Sequence, residues 1–216
     1  HRDLHSFPTR RSSDLPIGKS LTTETIQLAN EENSDGIGLM YPDGKVVRGL
    51  KGVSPEELKV LLDLHIDKPV VVHFRLATHG KVDVTACHPF PVTREVKKLK
   101  DVNWCHNVGI AHNGIIRGFG NKDLSDTQEF IKDILADMRL DRKLPRLAEW
   151  LAQETSSKFA IMFANGKVQL CGSFTEKEGI WYSNLNHENS WKRWWDHYNG
   201  GNTTPSPKYE IGRAHV

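Results

Sequence analysis

The chain has 216 residues, 26% of them charged and 38% hydrophobic, with a formal charge of +2. That length suits one domain or at most two, and no apolar run approaches the roughly 20 residues that a membrane-spanning helix requires. Three cysteines are too few, and odd in number, for a disulfide framework, which points to a reducing compartment and so to the cytoplasm. There is no CxxC pair and no zinc-like spacing of His and Cys, so neither a metal nor a cofactor is expected.

The two ends read differently from the rest. Residues 1–15, "HRDLHSFPTRRSSDL", translate codon for codon from a sequencing-adapter oligonucleotide, and "IGRAHV" (211–216) does the same up to the adapter's stop codon. Both are set aside from fold reasoning, with the expectation that the native chain runs further at each side. Without them the remainder is near neutral, which removes any case for a nucleic-acid partner from net charge. Four segments are therefore expected: 1–15 adapter-like, 16–184 a single domain, 185–210 a Trp-rich polar tail, and 211–216 adapter-like.

In chain order, "LTTETIQLANEEN" (21–33) predicts a helix, with Ile26, Leu28 and Ala29 as its apolar positions. "GIGLMY" and "KVVRGL" flank Pro42-Asp43-Gly44 and predict a hairpin. "SPEELKVLLDLH" predicts a helix with Ser54 as cap, Pro55 at its first position and Glu57 completing a capping box. "KPVVVHFRLA" reads as a buried strand and "VGIAHNG" (108–114) as another. "SDTQEFIKDILADM" places Ser125 and Gln128 in capping-box register, and "PRLAEWLAQET" predicts a further helix. "KFAIMFA", Asn165-Gly166 and "KVQLCG" predict a hairpin through a primed turn. "GIWYSN" predicts a last strand before Trp191, Trp194 and Trp195 crowd together. Antiparallel-looking strand pairs with helices between them predict an α+β fold of packed layers.

Four polar clusters stand at strand or turn ends: "NSDGIG" (33–38), "HFRLATHG" (73–80), "AHNGII" (111–116) and "SDT" (125–127). Each alone has a bland reading as a turn, a cap or a solvated strand end. Together they match what an α-amino acid ligand needs. Its carboxylate needs a guanidinium, which Arg75 could supply bidentately. Its ammonium needs a carboxylate, which Asp126 could supply. An amide under attack needs two donors on the developing oxyanion, for which Asn113 offers a side-chain amide and Gly114 a backbone N–H.

In their order along the chain these clusters resemble the class II glutamine amidotransferase domain, an N-terminal-nucleophile hydrolase, over roughly residues 21–184. The resemblance implies a four-layer αββα sandwich and hydrolysis of the glutamine side-chain amide to glutamate and ammonia. It implies Arg75 on the substrate carboxylate, Asp126 on its ammonium, and Asn113 with Gly114 as the oxyanion hole. Thr78 and His79 would line the loop that closes over glutamine. The implied partners are glutamine and an ammonia-accepting synthase domain or subunit. The absence of an acceptor module after Asn184 is more like compact stand-alone members than fused ones.

The nucleophile of that family is a cysteine at the mature N-terminus, whose own α-amine serves as base. Cys87, Cys105 and Cys171 lie inside the chain and have amide nitrogens, so none is expected to replace it. Cys171 is expected to pack in a strand, Cys105 to lie in a connecting segment, and His88 and His106 to be structural or on the surface. The polypeptide as it stands is expected to be inactive. The alternative reading is a non-catalytic amino-acid-binding or regulatory module that keeps Arg75 and Asp126.

Overall fold

The structure of the protein, a computed structural model, describes residues 11–76, 83–138, 150, 153 and 157–184. The helix expected over "PRLAEWLAQET", the Trp-rich tail and the 211–216 end lie outside the described residues, apart from Trp150 and Gln153. Among the described residues, eleven strands form two antiparallel sheets. The larger sheet runs in the order β10 (Thr175–Lys177), β11 (Ile180–Tyr182), β1 (Arg11–Leu15), β4 (Val70–Phe74), β2 (Ile37–Asp43), β3 (Val46–Val53) and β6 (Asn103–His106), and the smaller in the order β5 (Phe90–Pro91), β7 (Val108–Asn113), β8 (Lys158–Phe163) and β9 (Val168–Cys171).

β4 (Val70–Phe74) stands in the middle of the larger sheet and is buried on both faces. Its alternation sorts the core. Val70, Val72 and Phe74 join Ile26 and Ala29 of α1 (Thr23–Glu32) and Leu58 and Leu62 of α2 (Pro55–Leu64) in one cluster. Val71 points the other way. It packs with Met40 of β2 (Ile37–Asp43), Val47 of β3 (Val46–Val53) and Trp104 of β6 (Asn103–His106). The same cluster takes in Ala111 of β7 (Val108–Asn113) and Ala160 and Met162 of β8 (Lys158–Phe163), so it fills the space between the sheets. A third cluster packs Phe130 and Ile131 of α4 (Asp126–Asp133) on Ile110, Phe159 and Ile161 of the smaller sheet.

The helix ends follow local chemistry. The Ser54–Glu57 and Ser125–Gln128 capping boxes both form, each satisfying two orphan N–H donors reciprocally. Two turns differ from expectation. In the first hairpin Pro42 and Asp43 pair within β2, and the loop is Gly44-Lys45. In the second, Gly166 N–H donates to Phe163 O and Phe163 N–H donates to Lys167 O, so the loop has three residues with Gly166 at φ 82. Asn-Gly serves this bulged loop as well as the two-residue one, because both need a residue with positive φ.

Three strands had no local signal. β6 forms against β3, β5 (Phe90–Pro91) against β7, and β10 (Thr175–Lys177) against β11 (Ile180–Tyr182). Cys105 therefore sits in β6 rather than in a connecting segment. α3 (Val96–Lys100) was likewise unexpected.

The larger correction concerns the head of the chain. Residues 11–15 were set aside, yet β1 (Arg11–Leu15) runs antiparallel between β4 and β11. The inner edges of those two strands present N–H and C=O groups that must be paired when buried. An extended segment with an apolar residue in the right register meets that need, and Leu15 enters the helix-side core at 0% exposure.

The sheets approach closely over β2. A Cβ on Gly38 would stand 2.0 Å from the His88 carbonyl oxygen and 2.9 Å from that of Leu50. Both are backbone atoms held from two sides, so Gly38→Ala is expected to destabilise the fold by about 3 kcal/mol or more in urea unfolding. A cost within about 0.5 kcal/mol would show that the His88 segment can shift freely.

Candidate functional site

The polar ends of β1, β4, β7 and β11 meet at one place. At the end of β4 the backbone of Arg75 is pinned by the "NSDGIG" turn. Arg75 N–H donates to Gly36 O at 2.8 Å, and Asp35 N–H donates to Arg75 O at 3.1 Å. Gly36 has φ 131, and a Cβ there would lie 2.5 Å from Cys87 Sγ. The Arg75 side chain is 8% exposed. Its Nη1 donates to Asp83 O at 3.4 Å, and its charge acts on the Cys87 thiol, which donates to Asp35 O at 3.5 Å. Burial pushes that thiol up, against the pull of Arg75 and Lys51. Thr78 and His79 lie outside the described residues.

Asn113 ends β7 on the facing sheet. Its Nδ2 donates to Ser183 Oγ at 2.8 Å, and Ser12 N–H donates to the same oxygen at 2.8 Å. Two N–H groups from different sheets thus converge on one oxygen atom. Ser183 N–H donates back to Ser12 O at 2.9 Å, and Lys158 Nζ donates to Ser183 O. Burial lowers the Lys158 pKa. Ser12 Oγ lies 2.9 Å from His73 Nδ1. Gly114 is buried and adopts φ 149, and a Cβ there would stand 2.3 Å from Ser157 Oγ, so only glycine fits the position after Asn113.

Asp126 begins α4, where the helix N-terminus favours a negative charge. Its Oδ2 accepts Ile116 N–H at 2.8 Å and its Oδ1 accepts Thr127 N–H at 2.7 Å. Thr127 Oγ1 lies 2.7 Å from His112 Nδ1. A row of imidazoles then crosses the gap between the sheets. The ring centroids of His112 and His88 are 6.0 Å apart, and those of His88 and His73 are 4.4 Å apart. His112 N–H donates to His88 Nδ1 at 3.1 Å. His88 is therefore a buried link in this row and not a surface residue. Through it the Arg75 end of β4 and the Asn113–Gly114 end of β7 share one polar layer with the start of α4.

Arg75, Asn113, Gly114 and Asp126 were candidates from the sequence, whereas Ser183, Lys158 and the contacts of His73, His88 and His112 were not foreseen. The one local signal for Ser183 was its place at the end of a predicted strand in "WYSN". Neither buried cysteine, Cys87 or Cys171, resembles an activated nucleophile. Cys171 is buried in β9 (Val168–Cys171), where burial pushes its thiol up to about 12. A thiol that is raised rather than lowered is less often the reactive thiolate. Among the described residues no group of three or more His, Cys, Asp or Glu could hold a metal ion, and no helix is long and apolar enough to cross a membrane.

No family model matches the chain. No curated protein matches it either. Among solved structures it is similar to the glutamine phosphoribosylpyrophosphate (PRPP) amidotransferase from B. subtilis complexed with ADP and GMP. The identity is 17% and the TM-score 0.46, over 80% of this chain and 41% of that one. The chain thus spans less than half the length of that structure.

Proposed function

We propose that this chain is a glutaminase domain of the class II amidotransferase type, on a four-layer αββα sandwich. In this reading α1 and α2 form one outer layer, α4 lies in the other, and the cluster around Met40, Val71 and Met162 joins the sheets. The observation that carries it is the convergence of Asn113 Nδ2 and Ser12 N–H on Ser183 Oγ, each at 2.8 Å. In this reading the Asn113 amide is an oxyanion donor and the nitrogen of residue 12 is the nucleophile's base, so two groups that an amide attack needs stand one oxygen atom apart. Beside them, Arg75 would take the glutamine carboxylate and Asp126 its ammonium, with Gly114 N–H completing the oxyanion hole. Thr78 and His79 would close over the ligand. The ammonia would pass to an acceptor domain or subunit.

In this reading the nucleophile belongs at position 12. Ser12 and Asp14 share the face of β1 that looks toward the smaller sheet, because they pair with His73 and Val71 of β4. Ser13 and Leu15 face the helices. An α-amine at position 12 would stand where the Ser12 amide now stands, within reach of a side chain attacking the amide carbon.

The test is a polypeptide that begins at position 12 with cysteine, made by removing residues 1–11 and introducing Ser12→Cys. It is expected to release ammonia from L-glutamine, while the full chain with Ser12 releases none. Glutamine binding without ammonia release would favour the non-catalytic amino-acid-binding module, a reading supported by the amide nitrogen that residue 12 now has. Neither binding nor release would reject both.

A further inference from the structure

Lys51 is charged in type yet 6% exposed, and it is not one of the residues that would touch glutamine. Its Nζ donates to Thr85 O at 3.1 Å and to Leu99 O at 2.8 Å, and lies 4.3 Å from the Phe90 ring centroid. Gln128 Nε2 donates to the same two carbonyls, each at 3.2 Å. Two side chains, one from β3 and one from α4, thus grip the same pair of backbone oxygens. Burying a lysine is costly, and burial lowers this one to about 7. Aliphatic packing would fill the space without that cost.

One of the gripped carbonyls, that of Thr85, belongs to a segment that serves the site. Thr85 lies in the turn Val84–Ala86, capped by Asp83, whose Oδ1 accepts Thr85 N–H at 2.9 Å and whose Oδ2 accepts Thr85 Oγ1 at 2.7 Å. Asp83 O is the acceptor of Arg75 Nη1. On the other side, Gln128 Oε1 accepts Ser125 N–H at 2.9 Å, which ties the grip to the helix start that carries Asp126. A continuous path of hydrogen bonds therefore runs from Arg75 through Asp83, Thr85 and Gln128 to the first turn of α4.

We propose that Lys51 and Gln128 form a clasp that sets the separation between Arg75 and Asp126, making Lys51 a positioning residue for a ligand held at both ends. This rests on the reading of Arg75 and Asp126 as the two ends of a glutamine site. A ligand that engages both ends depends on their spacing, whereas a ligand that engages one end does not.

The experiment is calorimetric titration of the full chain and of its Lys51→Met variant with three ligands. These are L-glutamine, 4-aminobutanamide (no carboxylate) and glutaramate (no ammonium). Lys51→Met is expected to weaken L-glutamine about tenfold, the scale of one or two lost hydrogen bonds, and to leave the two one-ended analogues within about twofold. Equal losses for all three ligands, or unchanged glutamine affinity, would overturn the clasp. Gln128→Met is the second variant should Lys51→Met not fold, with the same expected pattern. If the full chain binds none of the three, the glutamine reading fails and hydrogen exchange decides the clasp. Faster exchange in Lys51→Met at Ile116 and Thr127, whose N–H groups hold Asp126, supports it. Parental rates there reject it.

Discussion

Arg75→Ala is expected to weaken L-glutamine binding at least about a hundredfold, and to leave 4-aminobutanamide, which has no carboxylate, nearly unaffected. The guanidinium is almost entirely buried at the end of a central strand. Its backbone is fixed on both sides, by Gly36 and Asp35. A side chain so placed has little orientational freedom to lose when a carboxylate arrives. Truncating one member of a buried, hydrogen-bonded charge pair costs about 2–5 kcal/mol, which brackets a hundredfold change. Arg75→Lys should fall between, because lysine keeps the charge but loses the planar fork that meets a carboxylate with two parallel hydrogen bonds. Calorimetry with both ligands checks this. Equal glutamine affinity in parent and Arg75→Ala would show that the carboxylate is held elsewhere.

The second large effect concerns β1. Asp14 pairs across from Val71, so its carboxyl enters the apolar layer between the sheets. It is 9% exposed, and its Oδ1 has no hydrogen-bond partner. Burial raises its pKa from 3.8 to about 6. The folded protein therefore holds a proton more tightly than the unfolded chain between those values. The contribution of Asp14 to stability is greatest below about pH 4, falls as pH rises from there through about 6, and stays reduced above it. The difference between 3.8 and about 6 corresponds to about 3 kcal/mol. Asp14→Asn, neutral at every pH and nearly the same size, is expected to be more stable than the parent by up to that amount at pH 8. At pH 4, where Asp14 is protonated, the two should match. Urea unfolding at both pH values measures it. A difference between Asp14→Asn and the parent that is the same at pH 4 and pH 8 would mean that the carboxylate has found a partner.

Local chemistry explains which elements were legible. Ser54 with Glu57 and Ser125 with Gln128 announce helix starts because the partners of each box lie three residues apart in the chain. Asn165-Gly166 announces a hairpin because one residue must take positive φ. The β-branched run Val70–Val72 announces a strand buried on both faces. β1, β5 and β6 were not legible, because each is a strand only through pairing with segments distant in sequence, whereas β10 pairs with the neighbouring β11. Apart from the β10 hairpin, no local pattern reports such pairing.

The candidate site divides along the same line. Arg75, Asn113, Gly114 and Asp126 could be named from the sequence, because guanidinium, amide and carboxylate at strand and helix ends have a chemical meaning that residue type alone carries. Ser183, Lys51 and the imidazole row could not. A serine in "WYSN", a lysine in "RGLKGV" and three separated histidines are unremarkable until folding sets Ser183 between Ser12 and Asn113, puts Lys51 beside Gln128, and lines up His73, His88 and His112. Residue chemistry fixes which groups can act. Which groups meet, and which buried group supports another, depends on contacts between residues tens of positions apart, and only the packing of the two sheets decided those.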